Sequence, residues 1–165
     1  MGMDVCGNKP ISQKGEYFRN NVWWWHPLWD YCCYIDQSLI KRVPGAHENS
    51  GDGLGLVASR TLGLKLQHAI DSGEAQKYVD SYYESVNSSS DQPCFCLKES
   101  LFEVFSITGH IPFPKSLGNK NPDPECHTCK GSGLRPNWLK SYHIDVENIQ
   151  NFAEFLIDCG GFQIC

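Results

Sequence analysis

The sequence has no long apolar run. Hydrophobic residues make up 41% of its 165 positions, but they are interrupted everywhere before reaching the ~20 that a membrane-spanning helix requires. The first fifteen residues are polar and glycine-containing, not basic and then apolar. The sequence therefore argues against a membrane protein, and secretion is not expected. Positive charge is scarce as well: fourteen Lys and Arg face nineteen Asp and Glu, for a net charge of -5. Such a field repels phosphate backbones, so general nucleic-acid affinity is disfavoured. Arginine stands only at Arg19, Arg42, Arg60 and Arg135, and Lys41-Arg42 is the longest basic run. Catalytic signatures are missing too. There is no phosphate-binding loop with its lysine and hydroxyl residue, no Gly-x-Gly-x-x-Gly and no His-Glu-x-x-His. No His-x-Glu precedes Pro93-Cys94-Phe95-Cys96, as a deaminase-type catalytic zinc site would need.

What the sequence has in excess is cysteine and tryptophan, nine and five residues. The odd cysteine count and the lack of an export signal favour a reducing cytoplasm, where cysteines serve as ligands or buried thiols. The sharpest motif is Cys126-His127-Thr128-Cys129-Lys130-Gly131-Ser132-Gly133. Two thiolates two residues apart can hold one metal ion because the turn between them points both sulfurs inward, and the glycines admit the backbone angles that turn requires. A closed site needs four ligands. Cys94 and Cys96 supply the other two, giving Cys94, Cys96, Cys126 and Cys129 as the expected zinc ligands, with His110 or His127 as replacements for one sulfur. Four protein ligands leave no open position, so the zinc is read as structural. Adjacent Cys32 and Cys33 diverge on a helix and read as buried thiols.

The order of elements points to an α+β fold with a mainly helical core and a few short strands. Met3 to Cys6 reads as a strand. A helix from about Pro27 to Lys41 follows, with proline in its first turn. Asp52 is a candidate N-cap for a long helix carrying Leu54, Val57, Leu62, Leu66 and Ile70, which Asp71-Ser72-Gly73 stops. A second helix from Glu74 to about Val86 completes a helical hairpin. Glu99 to Ile107 is a strand or a short helix. Ser141 to Ile144 reads as a strand, Asp145 starts a C-terminal helix that Gly160-Gly161 ends, and Phe162 to Cys165 is a last strand. One domain over 1–165 with an inserted zinc-binding lobe at 93–136 is the expected organisation. Pairing of the two terminal strands would set Cys6 next to Cys165.

Trp23-Trp24-Trp25-His26-Pro27-Leu28-Trp29 cannot bury every ring against one surface, whether helical or extended. Most of them are expected to clamp the N-terminal segment onto the helices. A binding surface would combine Tyr17, Arg19, Trp24, His26 and Trp29 with His47, Glu48 and Asp52 of the polar glycine turn.

Cys126 to Gly133 resembles the cysteine-rich zinc repeats of J-domain chaperones. More widely, Met1-Gly2-Met3-Asp4-Val5, Gly15-Glu16-Tyr17-Phe18-Arg19-Asn20-Asn21-Val22-Trp23-Trp24-Trp25, Gly51-Asp52-Gly53-Leu54 and Cys159-Gly160-Gly161-Phe162-Gln163-Ile164-Cys165 resemble a family of small uncharacterised proteins encoded by bacteria and their phages. The resemblance implies two chaperone-like knuckles, so the residues after Pro93 would be a degenerate first one. It also implies a bacterial cytoplasm, or a host cytoplasm for a phage protein.

Three functions follow as expectations. The first is a non-enzymatic zinc-stabilised protein-interaction module, an adaptor or inhibitor of a host complex, with a protein as partner. The second is a binder of a small ligand or nucleotide derivative, or an enzyme acting on one, using the Tyr17–Trp29 and His47–Asp52 segments. The third is zinc-mediated nucleic-acid binding, which needs Lys120, Lys130, Arg135 and Lys140 on one face.

Overall fold

Alternating burial marks the first strand of the computed structural model, which describes residues 2–97 and 121–165. Along β1 (Gly2–Gly7), Met3 and Val5 are buried, while Asp4 and Cys6 lie on the opposite face. β1 pairs antiparallel with β2 (Tyr17–Asn21) on one side and β6 (Gly161–Ile164) on the other. β3 (Gly53–Gly55) pairs antiparallel with β6 and completes the order β2-β1-β6-β3. The first and last strands of the sequence are therefore neighbours.

Two compact units share the chain. One is Met1–Asn87 with Ser141–Cys165, and the other is Ser88–Lys140, the unit that contains the cysteine-rich middle. The expected element at Glu99 to Ile107 lies outside the described residues.

In the first unit the helices supply the core, making the fold α+β. α1 (Val22–Ile35) starts five residues before the expected Pro27, because Asn21 caps it: its Oδ1 accepts from the N–H groups of Trp23 and Trp24 at 3.0 and 3.2 Å. Pro27 thus sits inside the helix, where its missing N–H leaves the Trp23 carbonyl without its intrahelical donor. The N–H of His143 donates to that carbonyl at 3.0 Å. α2 (Leu39–Arg42) is a single turn that follows the end of α1. α3 (Leu56–Asp71) and α4 (Glu74–Ser88) flank Ser72–Gly73, where Gly73 takes the left-handed φ of 77°. The N-cap of α3 is Gly55, not Asp52, because Gly53–Gly55 is drawn into the sheet as β3. α5 (Val146–Asp158) begins as expected, with Asp145 accepting from the Asn148 N–H at 2.7 Å. The strand expected before it is absent, since a 3-10 turn at Trp138–Ser141 occupies the approach.

Phe152 of α5 centres an aromatic cluster, with ring centroids 4.9 Å from Phe18, 5.5 Å from Trp25 and 6.3 Å from Phe162. One side chain thereby joins β2, α1 and β6. Trp25 and Trp29 stack at 5.6 Å, one helical turn apart, and the Trp25 indole N–H donates to the Ala46 carbonyl at 2.8 Å. α4 joins through Tyr78, whose ring lies 4.5 Å from that of Tyr31. Among the described residues no helix is long and apolar enough to cross a membrane.

α3 lies against α5 at Gly63, where an added Cβ would come 2.9 Å from the Ala153 carbonyl oxygen and 3.0 Å from the Leu156 Cβ. Gln67 and Gln150 exchange side-chain hydrogen bonds of 3.3 and 2.8 Å across the same interface. Such a contact tolerates no branched side chain. Gly63→Val is expected to destabilise the protein by about 2 kcal/mol in urea denaturation, from overpacking alone.

Candidate metal centre

The second unit brings its four cysteines together from two short segments. β4 (Gln92–Pro93) pairs antiparallel with β5 (Leu134–Arg135), setting Pro93 opposite Leu134. The Cys94 N–H extends this ladder by donating to the Gly133 carbonyl at 2.8 Å. Cys96 follows in a 3-10 turn, Phe95–Leu97. On the other segment, Lys130, Gly131 and Gly133 take left-handed φ values of 48°, 85° and 73°. That backbone wraps the turn back on itself: the Lys130 N–H donates to the Cys126 carbonyl at 2.8 Å and the Ser132 N–H to the Cys129 carbonyl at 2.9 Å. The two glycines of the motif are therefore used as the sequence requires.

All four Sγ atoms lie within 4.8 Å of one another, close enough to bind one metal ion. Cys94 and Cys126 are 3.7 Å apart at sulfur, and Cys96 and Cys129 are 3.5 Å apart. The N–H groups of Cys129 and Thr128 aim at the Cys126 sulfur and hold its thiol down to about 6. Desolvation and the neighbouring sulfurs push Cys96 the other way, to about 12. A cation bound among them would relieve that crowding by drawing off the remaining protons. His127 is exposed and outside the sulfur group. His110 lies outside the described residues.

Burial adds a second argument. Among the described residues of this unit the buried hydrophobic side chains are Cys94 and Cys129, at 2% and 7% exposure. Its described core is thus made of two of the four clustered cysteines.

The other nominated residues distribute over several places. Tyr17 and Arg19 are exposed on β2, the tyrosine hydroxyl donating to Asp4 and the guanidinium 3.6 Å from the same carboxylate. Trp24 packs its ring against His143 at 5.4 Å. Trp29 is not available as a binding surface: at 2% exposure it belongs to the core, because it shares the buried face of α1 with Trp25. Asp52 ties its loop together by accepting from the Gly45 N–H at 2.8 Å, and Glu48 is exposed. Of the nominated set, His26 and His47 do meet, their ring centroids 4.3 Å apart. Tyr142 stacks on His26 at 5.5 Å. Sequence reading missed Tyr142 and His143, and no local signal could have found them, since both arrive from the far side of the second unit in sequence. A cavity of about 430 Å³ opens at Ile35, Leu64, Lys65, His68 and Glu74, none of them nominated residues.

The chain matches no protein-family model, no curated protein and no solved structure.

Burial and then the charge of His47 lower the pKa of His26, with Asp30 one turn along α1 opposing them. A depressed histidine pKa means that the unfolded chain takes up a proton before the folded one does. His26 should therefore leave stability intact above pH 6.5 and reduce it as pH falls below that value. Denaturation midpoints measured from pH 7.5 to 5 should fall less steeply in His26→Gln than in the unsubstituted protein.

Proposed function

We propose that the chain is a zinc-stabilised protein-interaction module with no enzymatic site of its own. The observation that carries this reading is the closed group of four sulfurs. Zinc–thiolate bonds of about 2.3 Å in a tetrahedron put neighbouring sulfurs about 3.8 Å apart. The spacings of 3.7 and 3.5 Å between cysteine pairs fit that edge. Four soft ligands select zinc or iron over hard cations, and zinc suits a purely structural role because it has no redox chemistry. Zinc in this position would contribute directly to the folding of a unit whose described residues offer little other core.

The interaction half of the proposal rests on what the same unit leaves outside. Leu134, Trp138 and Leu139 are 52%, 48% and 39% exposed within a short stretch after the knuckle. Aromatic and aliphatic side chains presented together are what a protein partner buries at the centre of an interface. Nucleic-acid binding is the weaker reading, because two of the four cations it needs serve their own unit: Lys140 pairs with Asp91 at 3.1 Å and Arg135 donates to Gln92 at 3.0 Å, while Lys120 lies outside the described residues. In keeping with the resemblance to bacterial and phage proteins, the partner we propose is a complex of the bacterial cytoplasm.

Elemental analysis of the purified protein tests the metal. One zinc per chain is expected, lost in Cys126→Ser and in Cys129→Ser, with amide exchange in the second unit rising to that of an unfolded segment. Iron in place of zinc would keep the site and reject the structural-zinc reading. A folded, metal-free protein would reject both.

A further inference from the structure

Two cysteines outside the metal group also meet. β1 and β6 pair with Cys6 opposite Gln163, and the Cys165 N–H donates to the Asp4 carbonyl at 2.7 Å, carrying the ladder past Ile164. Cys165 is thus two residues from the direct partner of Cys6 and on the same face of the sheet. That face is the outer one, shared with Asp4, Tyr17 and Arg19 and opposite the buried Met3 and Val5. Diagonal neighbours on a sheet ordinarily stay apart, yet here the two sulfurs have turned toward each other and lie 2.9 Å apart. Less than about 1 Å of further approach reaches the ~2.05 Å of a disulfide.

We infer that Cys6 and Cys165 are a reversible oxidation site, which exchanges with a small disulfide of the glutathione class and ends as a disulfide tying β1 to the chain beyond β6. The contrast with the other cysteines supports the assignment. Cys32 and Cys159 are fully buried, Cys33 is half-buried on α1, and the remaining four form the metal group. Cys165 is exposed and Cys6 half-buried beside it, so the incoming disulfide reaches Cys165 first. The hydrogen bond with Cys165, together with burial, pushes the Cys6 thiol up to about 11, and the exposed member of the pair, Cys165, is the one placed to attack first.

The exchange balances without any other reagent. The Cys165 thiolate attacks one sulfur of glutathione disulfide and expels a glutathione thiolate, which takes up a proton. Cys6 then loses its own proton to solvent, attacks the Cys165 sulfur and expels the second glutathione. Two protein thiols are oxidised, and one glutathione disulfide is reduced to two thiols. The product closes a covalent loop between positions 159 apart in the chain.

The test uses the full chain, reduced, desalted and exposed to excess glutathione disulfide, then alkylated and digested with trypsin without reduction. The expected product is the peptide ending at Lys14, since trypsin does not cut between Lys9 and Pro10, joined to the peptide beginning at Ser141, two hydrogens lighter than their sum, with fragment ions placing the bond on Cys165 and not Cys159. Oxidation should raise Tm by about 10 °C, reversibly with dithiothreitol. The rise should vanish in Cys6→Ser and in Cys165→Ser. Recovery of both cysteines alkylated, or each carrying its own glutathione with no joined peptide, overturns the inference. So does a Tm rise that persists in Cys6→Ser. Should either variant fail to fold, the peptide map of the unsubstituted chain still decides. The metal content of the same samples is read separately, so the failure of one reading leaves the other standing.

Discussion

The first unit depends on the placement of β6 between β1 and β3. Those three strands come from the beginning, the middle and the end of the sequence, and only their ladder holds them in one sheet. The placement is set by a tight turn. Gly160, between α5 and β6, and Gly161, which opens β6, take φ values of 64° and 95°, and a Cβ on Gly160 would fall 2.0 Å from the Lys9 carbonyl oxygen. Glycine alone permits both the angle and the approach. With that turn made, Phe162 and Ile164 face the interior, and Phe152 of the preceding helix can touch rings from β2, α1 and β6 at once.

Pro27 shows how the same unit accommodates a broken rule. A proline inside a helix removes one backbone donor. The His143 N–H takes that place at the Trp23 carbonyl, and this fixes the residues that lead into α5 beside the start of α1. His26, His47 and Tyr142 gather next to this bond, as do Trp23 and Trp24, which pack on Tyr142 and His143. The aromatic segment is therefore neither wholly core nor wholly surface. Trp25 and Trp29 are buried, Trp23 stays 45% exposed, and His26, Tyr142 and His143 lie between those extremes.

The second unit gains its order differently. Its described residues contribute a two-residue ladder, a run of left-handed backbone and four sulfurs, and almost no apolar interior. Such a segment has few means of offsetting its conformational entropy other than a bound ion. The one-residue spacer in Cys94-Phe95-Cys96 departs from the usual knuckle, and the 3-10 turn there is what lets both sulfurs face the Cys126 and Cys129 pair.

By itself the sequence determined the features that local chemistry dictates. These are the α+β class, the α5 cap at Asp145, the stop at Gly73 and the four-cysteine group, because spacing and side-chain type decide each within a few residues. It misjudged the start of α1 and the role of Asp52, where a distant partner changed the outcome. Asn21 outcompeted Pro27 as the helix start once His143 could satisfy the orphaned carbonyl, and β6 drew Gly53–Gly55 into the sheet and away from the helix cap. Only the tertiary structure decided which tryptophans are buried, that Tyr142 meets His26, and that Gly63 is where α3 touches α5. Each of these is a contact between residues far apart in sequence. It depends on which faces the packed helices and strands turn toward one another, and local pattern carries no record of that.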